Sequence, residues 1–270
     1  MKPLNQTSSV NQFATLLVLI LMMALVSTIA FAEEPDLFAD DEWDKPMGHP
    51  GFFAGGGFLA TTMSPDLSNI NAELKKAGMP NLASTFVCYG GNGFGTIKNF
   101  RIGGFGFGGA TSSVATVPDT NASGAAISLN KKAEFSIGSG GIITGYRITL
   151  PNSFELEPSL WLGIATMTLN VVQSSGDPEW NAMWNGMQNY SSSTTSDYHQ
   201  ISMNSIYFYA QPGVFIRYYF KPWAAVALGG QYSVPVTQPD DWSFWGKKIT
   251  NAKSVNAAAP SFTFQFSLGM

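Results

Sequence analysis

Charge is scarce in this chain: only 12% of its 270 residues are Asp, Glu, Lys or Arg. There is a single cysteine, Cys88, so no intramolecular disulfide can staple the fold, and in "STFVCYGG" it reads as a small hydrophobe. Two histidines, His49 and His199, leave little material for acid–base or zinc chemistry, and neither paired metal ligands nor a phosphate loop occurs. The formal net charge of −4 excludes nucleic acid as a partner. Long apolar runs are missing as well, apart from one near the N-terminus, and that excludes a bundle of membrane-spanning helices.

The one apolar run, "FATLLVLILMMALVSTIAFA", covers residues 13–32. Lys2 precedes it and Ala30-Phe31-Ala32 closes it with an A-x-A pattern, so residues 1–32 read as a signal peptide. No cysteine lies in this segment, which excludes a lipoprotein anchor. An uncleaved anchor is the competing reading, and either way the chain is exported. Seven acids follow at once: Glu33, Glu34, Asp36, Asp40, Asp41, Glu42 and Asp44. Residues 33–50 therefore read as an acidic, disordered periplasmic tether. Residues 51–270 form the remaining domain, which is close to neutral.

What the chain has in abundance is glycine and aromatics, 28 Gly, 20 Phe and 7 Trp, at a mean hydropathy of only +0.06. That combination favours alternating strands. The ending "FTFQFSLGM" shows the alternation cleanly: Phe262, Phe264, Phe266, Leu268 and Met270 fall on one side of a strand, and Thr263, Gln265, Ser267 and Gly269 on the other. Eight such segments run over 52–62, 84–97, 100–112, 132–150, 154–172, 201–220, 223–235 and 260–270. "KN", "PNS" and "KP" make tight turns between three pairs of them. The other connections are long, at 63–83, 113–131, 173–200 and 236–259. The first of these, "SPDLSNINAELKKAGMPN", reads as a short helix with Ser64 as cap and Gly78 as terminator.

Short and long connections alternate, so in an antiparallel meander the short turns gather at one rim and the long loops at the other. In the sixth segment Ile206, Phe208, Ala210, Val214, Ile216, Tyr218 and Phe220 share one face, against Ser205, Tyr207, Tyr209, Gln211, Gly213 and Arg217. The seventh sets Val226, Leu228, Tyr232 and Val234 against Ala225, Ala227, Gly229, Gln231 and Ser233. The second face is small and polar, as in a barrel whose apolar side is turned out to lipid. Gly103–Gly104 and Gly138–Gly141 read as bulges or kinks that help curve the sheet, and Tyr146, Tyr218, Phe220 and Trp223 as an interfacial aromatic belt at the short-turn rim.

On these features the chain resembles the eight-stranded outer-membrane β-barrel proteins of diderm bacteria, over residues 52–270. The resemblance implies an all-β, eight-stranded antiparallel up-and-down transmembrane barrel in the outer membrane, a monomer in contact with outer-membrane lipid. The terminal strand is similar to that family's assembly signal, which implies recognition by the barrel assembly machinery through Phe262, Phe264, Phe266, Leu268 and Met270. Here Met270 stands where the family ends on an aromatic residue. The family includes structural, adhesive, pore-forming and enzymatic members, so it assigns no activity.

Inward-facing charges cluster at the short-turn rim: Arg101, Arg147, Glu155, Glu157 and Arg217. Charges inside a narrow barrel must pair, so these five are expected to form an interior ion network that plugs the barrel, with a gate or selectivity ring as the alternative. "DYH" at residues 197–199 is similar to a three-residue element of omptin proteases, but omptins have ten strands and no nucleophile is placed for His199. Trp180 and Trp184, with Met183, Met187 and Tyr190, and Trp242 and Trp245 in "DDWSFW", form a candidate aromatic loop surface, with an outer interfacial belt as the plain alternative. The reading is a non-enzymatic barrel with a structural or surface-interaction role, without metal or cofactor. A narrow pore or a small-molecule or lipid-binding barrel is the alternative, and a periplasmic lipocalin-type carrier or an outer-membrane hydrolase stands further off. N-terminal sequencing of protein from membranes should begin at Glu33; a chain that begins at Met1 overturns the signal-peptide assignment.

Overall fold

The alternation of the last strand recurs around a closed ring. A computed structural model describes residues 52–120, 124, 126–175, 198–237 and 241–269. Its strands are β1 (Phe52–Met63), β2 (Phe86–Ile97), β3 (Phe100–Thr120), β4 (Ala126–Tyr146), β5 (Ile148–Thr149), β6 (Phe154–Ser174), β7 (Tyr198–Lys221), β8 (Ala224–Pro235), β9 (Ser243–Phe244), β10 (Lys247–Lys248) and β11 (Ala259–Gly269), with one helix, α1 (Ser68–Lys76). Eight of them pair antiparallel in the order β1-β2-β3-β4-β6-β7-β8-β11. The ring closes by β11 on β1, from Gly55 opposite Gly269 to Thr61 opposite Thr263. Closure satisfies the backbone of both end strands, which hydrocarbon demands of any spanning sheet.

Odd-numbered residues of β3, β4, β6, β7, β8 and β11 point inward. Outward on the same strands lie Ile102, Ile142, Leu162, Ile164, Ile206, Phe208, Val214, Ile216, Leu228, Tyr232, Phe262 and Phe264, all exposed. No water-soluble barrel leaves so continuous an apolar belt uncovered, and the fold is that of an eight-stranded transmembrane β-barrel. The same belt is the reverse of a lipocalin-type carrier, whose apolar face lines its interior. Phe100, Phe154, Tyr218, Phe220 and Trp223 ring the short-turn rim.

The glycine stretches do not form bulges. Pairing runs without a shift through Gly103–Gly104 and Gly138–Gly141, and the register slips at Tyr219/Lys221 instead. These glycines serve curvature by close approach: a Cβ on Gly103 or Gly141 would collide with the backbone of the neighbouring strand. Nor is 113–131 a long loop. β3 and β4 stay paired from Phe100–Tyr146 to Thr120–Ala126. The β-branched residues of "TSSVATV" favour the extended chain there, although the segment reads as polar. The segment 132–150 breaks at Arg147, whose N–H donates to Asn99 O (2.7 Å), and β5 then folds back on β6.

Helix α1 begins four residues later than Ser64. The Asp66 carboxylate accepts from Ser68 N–H (2.9 Å), which holds its carboxyl below the usual range, and Leu67 occupies the cap position. Gly78 (φ +75) ends the turn, as a left-handed position requires. Asn71 then fixes the returning chain, donating to Leu82 O (3.1 Å) and accepting from Leu82 N–H (2.8 Å). Through Leu67, Ile70, Leu74, Met79 and Leu82 this segment joins the barrel's apolar core with Leu59, Met63, Phe86, Cys88, Phe107 and Phe135. Trp242, Val255 and Ala257 of the β8–β11 connection join the same cluster, and Asp66 N–H donates to Asn256 O (2.8 Å). Two connections thus cover the long-loop end.

Phe264 is exposed on β11 beside Leu228, and Gln265 next to it is buried. Phe264→Asp should destabilise the assembled barrel by about 2–3 kcal/mol, the cost of an acid in the bilayer core, measured by detergent-resistant folding. Gln265→Asp, turned inward beside Arg217, should be milder. Equal loss in the two variants would reverse the assignment of faces.

Candidate functional site

Three strands and one strand break deliver the charged cluster. Arg101 is the second residue of β3, Arg147 sits where β4 breaks, Glu155 and Glu157 open β6, and Arg217 lies near the end of β7. All five point inward, and none is more than 4% exposed. Arg101 donates to Glu157 from Nη1 and to Glu155 from Nη2 (3.3 Å). Arg147 Nε donates to Glu155 Oε2 (2.6 Å). Arg217 Nη2 donates to Glu157 Oε2 (3.3 Å), and its Nε forms an ion pair with Glu155 Oε1 (3.7 Å). The five residues placed at this rim by sequence therefore meet as one network. Glu155 is its hub, since all three guanidinium groups approach it.

Four further residues complete the cluster. Tyr219 accepts from Arg101 Nη2 (3.2 Å) and donates to Glu155 (3.4 Å). Ser267 and Gln265 on β11 accept from Arg217 (3.1 Å each). The ring of Phe94 lies under the guanidinium of Arg101, 4.6 Å from its centroid, and 5.8 Å from that of Arg217. Period-2 parity placed Gln265 and Ser267 on the inner face and left Tyr219 unnamed; nothing in the sequence tied them to these charges, because contacts across a barrel leave no sequence spacing.

Above the network the interior is filled. Trp161 packs on Phe105 (centroids 4.6 Å) and lies parallel to Phe215 (5.9 Å, 8°). This corrects the reading of a small, polar inner face, which described only part of the wall. β8 and β11 do carry Ala225, Ala227, Gly229, Gln231, Ser233, Ser261 and Thr263, but β3, β4 and β6 carry Phe105, Phe107, Phe135, Ile137, Trp161 and Met167 against them. Large side chains on one wall fill the space that small ones leave on the other. Between neighbouring strands, Gly229 on β8 likewise makes room for its register partner Phe215 on β7, whose ring occupies the place of any side chain there. A polar seam, Thr61–Thr263 (2.7 Å), Thr263–Gln231 (2.8 Å) and Gln211–Ser261 (2.6 Å), runs along the small-residue wall.

The aromatic loop surface is changed. Trp242 is 3% exposed and donates from Nε1 to Lys253 O (2.9 Å). It belongs to the core beneath the loop, because the β9–β10 hairpin turns its neighbours outward instead. Trp245, in the left-handed turn with Gly246, is 86% exposed beside Phe244 and lines a shallow pocket with Gln200, Ser202 and Asn204. Trp180 and Trp184, with the rest of that segment, lie outside the described residues, as do His49, Asp197, Asp240, Met270 and residues 1–50. His199 is exposed at the start of β7. Lys131 donates to Ala77 O (2.7 Å) and so ties β4 to the end of α1.

No protein-family model and no curated protein matches the chain. Solved structures similar to it include the outer membrane protein OprG from Pseudomonas aeruginosa, 11% identical over 81% of this chain and 95% of that one, with a TM-score of 0.42. Neisserial surface protein A is 11% identical over 82% and 96%, with a TM-score of 0.32. The attachment invasion locus protein of Yersinia pestis is 11% identical over 81% and 97%, with a TM-score of 0.29. At these scores the likenesses carry no argument. The class of the protein, a transmembrane β-barrel resembling the eight-stranded outer-membrane barrels, rests on the closed ring and its outward apolar belt.

Removing one member of a buried ion network leaves its partners uncompensated, at about 3–5 kcal/mol. Glu155→Gln should show the largest loss of barrel stability of any single change in the cluster. Lys132→Ala, which breaks an exposed pair with Glu134, should cost at most about 1 kcal/mol. Combining Glu155→Gln with Arg147→Gln should recover part of the loss, read as a coupling energy in unfolding measurements. Strict additivity would mean that the two residues do not interact.

Proposed function

We propose that the chain is an outer-membrane barrel of a diderm bacterium, non-enzymatic and closed to conduction, with a structural or surface-interaction role. The observation that carries this reading is the continuity of the filling. The Arg/Glu network lies at the short-turn end, the Phe105–Trp161–Phe215 layer above it, and the apolar cluster under α1 and the β8–β11 connection at the other end. An eight-stranded ring has an interior just wide enough to be filled by side chains. The exposed Trp245 and Phe244 beside Gln200, Ser202 and Asn204 support the surface-interaction role, since solvent-facing aromatics next to amides and hydroxyls suit recognition of a surface partner. Export by residues 1–32, a tether over 33–50 and insertion by the barrel assembly machinery through the β11 alternation belong to the same reading.

Purified protein reconstituted in planar bilayers should give no unitary conductance, and unboiled samples should migrate as a compact species in gels. The double variant Arg101→Ser/Arg217→Ser should remain closed, because the aromatic layer and the covered end still fill the lumen. Steady conductance in the wild type would replace the plug with a pore.

A further inference from the structure

We infer that the Arg/Glu network is a binding site for one small water-soluble anion. The inference rests on the plug reading of this end of the barrel and begins with a charge count. Arg101, Arg147 and Arg217 bring three positive charges inside, at 2–4% exposure, against the two carboxylates of Glu155 and Glu157. Even with both glutamates ionised, one positive charge has no opposite within the cluster.

No further acid among the described residues stands beside the three arginines. Among the described residues, β1, β2, β7, β8, β11 and the short turns contain no Asp or Glu, while Lys98 and Lys221 add positive charge at the same rim. Asp119 and Glu134, the acids of the β3–β4 hairpin, lie toward its far end. An isolated charge so removed from water is strongly disfavoured, and arginine does not escape by losing its proton.

The hydrogen-bond inventory agrees. Arg147 commits Nε to Glu155 (2.6 Å). The Nε atoms of Arg101 and Arg217 are buried and make no hydrogen bond. Donors in excess of acceptors, with a positive charge in excess of negative, call for an anion. The planar fork of Arg147 suits an oxyanion such as phosphate or a carboxylate, and a chloride satisfies the same charge. Lipid phosphate does not fit, because the donors face the interior of the ring and lipid lies outside it.

The test uses full-length protein in detergent, following the temperature at which the compact gel species is lost. Inorganic phosphate or chloride is titrated at constant ionic strength against a bulky buffer anion. The wild-type midpoint should rise by several degrees and then saturate, as expected when a ligand binds the folded state alone. Arg147→Gln balances the charges and should abolish the response, while Arg147→Lys keeps the charge and should retain it. Ser267→Asp places a carboxylate beside Arg217, whose Nη1 lies 3.1 Å from the present hydroxyl. It should also abolish the response and raise the midpoint in anion-free buffer, and it decides the question if Arg147→Gln does not fold. A flat wild-type titration, or an undiminished response in both balanced variants, overturns the anion site. Neither result touches the plug reading, which stands or falls with conductance.

Discussion

Closure of β11 on β1 is the constraint from which the rest of the structure follows. It leaves no unpaired strand edge in the membrane, and it forces the two faces of every strand to live in different media. The outer face can then be Ile, Leu, Phe and Val without penalty. The inner face loses access to lipid and most access to water. Every polar group placed there needs a partner inside a space only a few side chains wide, and every large group needs a small one opposite.

The interior answers both demands in layers. Arginines and glutamates meet at the short-turn end, where Glu155 draws three guanidinium groups and Phe94 supports two of them from below. A charged cluster of this kind is weak evidence for stability, because desolvation offsets much of the attraction. Its stronger effect is on position, since Arg217 reaches β6 and β11 together and so holds the two sides of the ring in one arrangement. The aromatic layer and the apolar cluster then fill the remaining length, and α1 with the β8–β11 connection joins that cluster at the other end.

Much of this was legible along the chain because strand parity is local. The period of two assigned Arg101, Arg147, Glu155, Glu157 and Arg217 to the inner face, and the tight turns put them at one rim. Where the reading failed, local character misled. The hairpin arms beyond 112 and before 132 are polar, yet their β-branched residues keep pairing. Gly103 and Gly141 suggested bulges or kinks; the bulges are not there, and the glycines serve close approach of the strands. Trp242 reads as a surface aromatic beside Trp245, yet one is buried and the other exposed, because a two-residue turn at Trp245–Gly246 sends them in different directions.

By itself, the sequence determined the number of main strands, their inward and outward faces, the rim at which the charges gather and the helix in the first long connection. These depend on neighbours in the chain, through alternation, turn residues and helical spacing. Only the tertiary structure decided that Glu155 is the hub, that Tyr219, Gln265, Ser267 and Phe94 join it, and that a wall of Phe, Trp and Met packs against a wall of Ala, Gly and Ser. Such relations include Arg101–Tyr219, 118 positions apart, and Arg217–Gln265, 48 apart, and a curved sheet sets their distances through its shear and radius, which no local pattern encodes.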